Sequence, residues 1–237
     1  MHHRMRRLAA LLLGSLGLLG AAATPPQAPQ APQAPTQDAG AQWDKVFSSK
    51  DAHWKTDANA FLAWTIERID REKLLPSKRA LDLAMGDGRN ALLLAEKGFT
   101  VTGIDVSEVA LEKARAKAKE KGLALDARKQ DLFTFDYGKE EWDLISIVYF
   151  NPALGLAAKL KDAVKPGGLI VIEGQGSEHQ GGGPPPATRF KPNELLRTFS
   201  DWRILHYEDG RFESDWNPGP PTHVVRLLAR KPAAAPK

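Results

Sequence analysis

Asp82, Gly86, Gly88, Asp105 and Asp131 are spaced so that one nucleotide could meet all of them. Gly86-Asp87-Gly88 forms a turn in which no Cβ keeps a ligand from the backbone. Asp105, nineteen residues after Gly86, stands where a carboxylate can accept both hydroxyls of a ribose. Asp82 lies four residues before Gly86, and Asp131 follows a third strand-like run, at the right place to meet an adenine amino group. A glycine turn flanked by acids is nucleotide-binding chemistry, and the spacing Gly86-x-Gly88-x-x-Ala91 also satisfies the dinucleotide fingerprint.

These residues need a strand, a helix and a second strand to hold them. Residues 80–84 are an apolar run carrying Asp82, 90–97 have helical apolar periodicity, and 101–104 form a second run that closes on Asp105. Upstream, Phe61, Leu62, Trp64, Ile66 and Ile69 predict a helix over 57–73, ended by Pro76. Ser107 caps a helix reaching Lys121, with Gly122 beyond it. Strands follow over 123–129 and 142–148, the latter apolar enough to be covered on both faces. A helix over 152–163 and a Lys-Pro-Gly-Gly turn at 165–168 lead to a strand over 169–173. The alternation stops at a glycine- and proline-rich insert, 174–186, a candidate substrate lid. A short helix over 192–198 precedes strands over 202–207 and 223–229, joined without a helix and so antiparallel. The expected fold class is α/β: a Rossmann-like, doubly wound, mostly parallel seven-stranded sheet with an antiparallel C-terminal hairpin.

The chain has 237 residues, enough for one domain of this kind. Its formal charge of +4 owes three units to Arg4, Arg6 and Arg7, and 30 basic side chains face 29 acidic ones in the remainder. That balance gives no electrostatic footprint for nucleic acid. The absence of cysteine excludes disulfides, thiolate metal sites and a cysteine nucleophile. No His, Asp and Glu spacing supports a metal site. Residues 1–23 have a basic start, an apolar run and three terminal alanines, the layout of a signal peptide. Residues 24–40 are a spacer rich in proline, glutamine and alanine, so the domain is expected over 41–237. Export is the expected location, with the cytoplasm as the alternative if the start codon is misplaced; no membrane span is expected in the mature chain, which is expected to be a monomer.

Taken as a set, residues 81–90, Gly103-Ile104-Asp105, Asp131, Trp142-Asp143-Leu144-Ile145 and the turn at 165–168 resemble the class I S-adenosylmethionine-dependent methyltransferases. Gly88-Arg89-Asn90-Ala91 and the following leucines are similar to the branch of tellurite-resistance and thiopurine-type small-molecule enzymes. Ala84 stands where that family has its first glycine. The resemblance implies S-adenosylmethionine as cofactor. Asp82, Ala84, Gly86, Gly88 and Asn90 would meet it from the first strand and turn, Asp105 and Val106 from the second strand, Asp131 and Leu132 after the third, and Tyr149 after the fourth.

The implied reaction is in-line methyl transfer to a small molecule, in which positioning dominates. A soft sulfur, selenium or tellurium acceptor needs little base, whereas a hydroxyl or amine needs more. Glu173, at a strand end, and Asn151, followed by Pro152, are the catalytic candidates. Trp54, His179, Arg189 and His223, with Arg211, are the candidates for binding the acceptor. A dehydrogenase using NAD and a non-catalytic exported domain on the same fold remain as alternatives.

Overall fold

The computed structural model of the chain describes residues 39–49, 55–180, 186–215 and 219–233. Its strands are β1 (Arg79–Leu83), β2 (Thr100–Asp105), β3 (Asp126–Lys129), β4 (Trp142–Val148), β5 (Val164–Gln175), β6 (Arg203–Phe212) and β7 (Thr222–Arg230). The helices are α1 (Ala39–Ser48), α2 (Ala60–Glu72), α3 (Arg89–Glu96), α4 (Glu108–Glu120), α5 (Ala157–Ala163) and α6 (Glu194–Thr198). One seven-stranded sheet runs β3-β2-β1-β4-β5-β7-β6. The first five strands are mutually parallel, and β7 enters antiparallel to both β5 and β6. Because β1 neighbours both β2 and β4, the winding reverses there and leaves a crevice at the carboxyl ends of the strands.

Strand alternation divides the core into two layers. Leu81, Leu83, Ile145, Ile147, Ile170 and Ile172 face α5, α6 and Trp202 on one side. Ala80, Leu144, Leu169 and Val171 face the apolar stripe of α2 and the inner faces of α3 and α4 on the other.

Several boundaries differ from the sequence expectation, each for a local reason. α2 starts at Ala60 rather than 57 because the Asn59 side chain accepts from Leu62 N–H at 2.9 Å, and Lys73 ends it in a left-handed conformation. The expected helix over 152–163 is divided into a 3₁₀ segment, Asn151–Leu156, and α5. The third strand shortens to Asp126–Lys129, and the hairpin strands lengthen. Residues 165–168 are a bulge inside β5 rather than a turn before it: Val164 pairs with Trp142 and Leu169 with Leu144. The bulge brings Lys165 Nζ within 3.1 Å of the buried Asp143 carboxylate, which also accepts from Ser77 Oγ and Arg79 N–H. Gly174 and Gln175, read as part of the insert, complete β5. The last two residues of the expected spacer open α1. The expected signal peptide, the rest of the spacer, Trp54 and 181–185 of the insert lie outside the described residues. Among the described residues, no helix is long and apolar enough to cross a membrane, and no group of three or more His, Asp or Glu side chains could hold a metal ion.

Gly88 shows how tightly α3 and α4 approach. It has φ +83°, and a Cβ there would lie 2.7 Å from Ala114 Cβ on α4. Gly88→Val is expected to cost roughly 1–3 kcal/mol through overpacking. A urea midpoint equal to that of the wild type would contradict this packing.

Candidate functional site

The turn after β1 is wound left-handed three times in five residues: Ala84 at φ 51°, Gly86 at 56° and Gly88 at 83°. Ala84 has a Cβ, and left-handed backbone costs such a residue about 1–2 kcal/mol. Around this turn, Met85 N–H donates to Ile104 O at 3.1 Å, and the Met85 side chain covers Gly103, where a Cβ would fall 1.9 Å from Sδ. The turn is anchored by Asp105 at the end of β2. Its Oδ2 accepts from Gly86 N–H and its Oδ1 from Ser107 N–H, both at 2.8 Å. Burial pushes this carboxyl above its ordinary pKa, and the backbone donors of Ser107, Gly86 and Val106 oppose that shift.

A cleft opens above Asp105. Ala84, Gly86 and Asn90 line it from the first turn and α3, Asp105 and Val106 from β2, Asp131 and Leu132 after β3, and Tyr149 after β4. Asp131 accepts from Phe133 N–H at 2.9 Å through one oxygen, leaving the second without a partner among the described residues. Trp43 and Phe47, on successive turns of α1, form the roof with ring centroids 6.0 Å apart. Asp44 docks that helix: its Oδ1 accepts from Ser107 Oγ at 2.6 Å and Val109 N–H at 3.1 Å, joining α1 to the start of α4. These donors hold the Asp44 carboxyl below the usual range.

The family described as a methyltransferase domain matches residues 80–168, the stretch from β1 into the β5 bulge. Residues 80–168 are thus similar to a methyltransferase domain. The chain is 34% identical over 139 residues to the ubiquinone biosynthesis O-methyltransferase of Pseudomonas aeruginosa, covering 55% of this chain and 56% of that one. It is 28% identical over 165 residues to hemagglutinin 1 of Eikenella corrodens, covering 65% and 55%. The chain thus spans about half the length of these curated relatives. The crystal structure of TehB from Haemophilus influenzae superposes with a TM-score of 0.58 at 24% identity, over 70% of this chain and 61% of that one, and shares the fold.

Around this cleft, several expected site residues are placed elsewhere. Gly88 is taken up by the approach to α4 and does not line the cleft. Asp82 lies beneath the cleft, 1% exposed, with Oδ1 accepting from Ser146 Oγ at 2.6 Å. Asn151 is turned toward the sheet, where its Nδ2 donates to Gln175 O at 2.8 Å. Among the expected acceptor-binding residues, His179 pairs through Nδ1 with Thr222 Oγ1 at 2.7 Å, and its carbonyl accepts from Arg189. His223 Nδ1 accepts from Glu178 N–H at 2.8 Å, so its Nε2–H donates to Asp209 Oδ1 at 2.6 Å. Arg211 donates to Pro221 O at 2.7 Å. These groups tie the segment after β5 to the hairpin, and none lines the cleft. Glu173 is buried behind Tyr149 rather than on the cleft wall.

The sequence reading missed α1 and the polar cluster behind Tyr149. Trp43 and Phe47 carried a local signal, an i, i+4 aromatic pair. Asp215 carried none, because its partners come from distant segments: Asn59 Nδ2 at 2.6 Å and Arg89 at 3.3 Å donate to its carboxylate.

Burial pushes the Asp82 carboxyl up to about 7. Raised above its unfolded value, it favours the folded state fully below that value and progressively less as pH rises to about 7. Asp82→Asn removes this dependence. Its unfolding midpoint is expected to exceed that of the wild type at pH 8 and to converge with it toward pH 4, as measured by thermal melts; a constant difference between the two would be the contrary result.

Proposed function

We propose that the chain binds S-adenosylmethionine in this cleft and transfers its methyl group in line to a small-molecule acceptor. The observation that carries the reading is Asp105. Its carboxylate lines the cleft, oriented by the N–H groups of the turn and of the start of α4, and suits a vicinal diol. The unpartnered Asp131 oxygen suits an amino group on the base, and Trp43, Phe47 and Phe133 suit an aromatic ring system. Arg89 on the same wall suits a carboxylate. A nicotinamide dinucleotide fits less well, since the half of the sheet beyond β4 continues as the β5-β7-β6 antiparallel unit instead of a second mononucleotide-binding half.

When bound, S-adenosylmethionine supplies a methyl group on a sulfonium whose leaving thioether needs no proton. The protein's part is then to fix the nucleotide end through Asp105 and Asp131, to exclude water beneath α1, and to present the acceptor beside Tyr149. The name of the Pseudomonas relative supports an acceptor of small-molecule size.

Asp105→Asn keeps the side chain's shape and removes its charge. It is expected to weaken S-adenosylhomocysteine binding by about 1.5–3 kcal/mol, roughly tenfold to a hundredfold, the range for a hydrogen bond to a charged group. Isothermal titration calorimetry measures this. A wild-type chain that binds no S-adenosylhomocysteine at millimolar concentration would refute the function.

A further inference from the structure

Behind the cleft wall lies a polar cluster that cofactor binding does not explain. Tyr149 lines the cleft with its backbone at φ 59°, a conformation costly for a residue with a large side chain. Its N–H donates to Glu173 O at 2.7 Å, its hydroxyl accepts from Asp215 N–H at 3.2 Å, and that hydroxyl lies beside the Glu173 carboxylate. Glu173 is 1% exposed. Asn59 Nδ2 donates to its Oε1 at 2.8 Å and Arg226 Nε to its Oε2 at 2.7 Å. Arg226 on β7 is shared with Glu208 on β6, and Asp215 with Arg89 on α3, so every packed element contributes a charged or polar neighbour. The Ser214 hydroxyl lies next to Tyr149, and the Gln175 amide, one pleat beyond Glu173 on the same strand face, is buried without a hydrogen-bond partner among the described residues. A buried amide of this kind is what a polar ligand would complete.

We propose that Tyr149 and Glu173 relay the proton of a hydroxyl-bearing acceptor, a phenol or enol, out of the cleft. This rests on methyl transfer being the reaction. The acceptor O–H bond breaks as its proton passes to Tyr149 Oη, and the proton of Oη passes to the Glu173 carboxylate. The freed electron pair on the acceptor oxygen forms the O–CH₃ bond, while the pair of the broken C–S bond stays on the donor sulfur. The net positive charge of the donor thus leaves as the proton on Glu173. Tyr149 is the catalytic residue, since it faces the cleft; Glu173 acts through it as a positioning residue and proton holder. Burial raises the Glu173 carboxyl above its ordinary pKa, which strengthens it as a proton acceptor, and burial raises the Tyr149 phenol as well. A soft acceptor would need no such relay.

The test uses the full chain with Tyr149→Phe and Glu173→Gln. Calorimetric titration with S-adenosylhomocysteine comes first: wild-type failure to bind refutes methyl transfer itself, whereas binding by a variant shows that it is folded. Tyr149→Phe is expected to bind S-adenosylhomocysteine like the wild type and to lose about 10²–10⁴-fold in methylation of phenolic acceptors. A second readout is independent of turnover. The infrared band of the protonated carboxyl should persist above the ordinary carboxylate range, vanish in Glu173→Gln, and persist to higher pH in Tyr149→Phe, where the hydrogen bond that lowers the Glu173 pKa is gone. The relay is overturned if Tyr149→Phe methylates phenols at the wild-type rate, if the wild type methylates only thiols or selenides, or if the band is indifferent to Tyr149→Phe.

Discussion

The Asp105 carboxylate joins the two loops that leave β1 and β2. Gly86 belongs to the turn leaving β1, and Ser107 begins the helix leaving β2; each gives its backbone N–H to one oxygen of the same side chain. The arrangement works because β1 and β2 are paired in parallel with Leu83 opposite Ile104, so both carboxyl ends arrive at the same level. Removing the carboxylate from water is costly, and the two donors offset part of that cost while fixing its orientation. The left-handed turn, the docking of α1 through Ser107 and the floor of the cleft follow from that one group.

A second constraint governs the opposite wall. Glu173, Asp215 and Arg226 are charged groups largely removed from solvent, and each is kept there by partners from other segments. Asn59 is the joint between them, since its amide donates to both carboxylates while its oxygen caps α2. The start of α2, the end of β5 and the β6–β7 connection are therefore coupled through one side chain. The two walls meet at Asn90, whose side-chain oxygen accepts from Asn59 N–H at 2.9 Å.

What the sequence disclosed follows from which interactions are local. Period-two alternation, Ser107 as a cap, and the spacing from Gly86 to Asp105 are properties of short stretches, so the mostly parallel sheet with its antiparallel hairpin and the turn held against Asp105 were legible from them. Asp82 and Gly88 matched a motif by position, yet their surroundings in three dimensions assign Asp82 to Ser146 and Gly88 to Ala114. The bulge at 165–168 read as a turn because glycine and proline signal both. Asp215, His179 and His223 could not be placed, because their partners are set by how the hairpin folds against β5, which no local pattern encodes.

The reversed direction of β7 has a consequence for how such a chain can diversify. Val224 pairs with Gln175 and Thr222 with Phe212, so the end of β5, the start of β7 and the connection between β6 and β7 gather at one edge of the sheet. The cleft is lined by residues up to Phe150, and the polar cluster behind Tyr149 also draws on residues after it. Insertions or exchanges in the later segments can reshape what enters beside Tyr149 while the hydrogen bonds of Asp105 stay as they are. The fold thus separates a fixed socket from an interchangeable one along the chain itself.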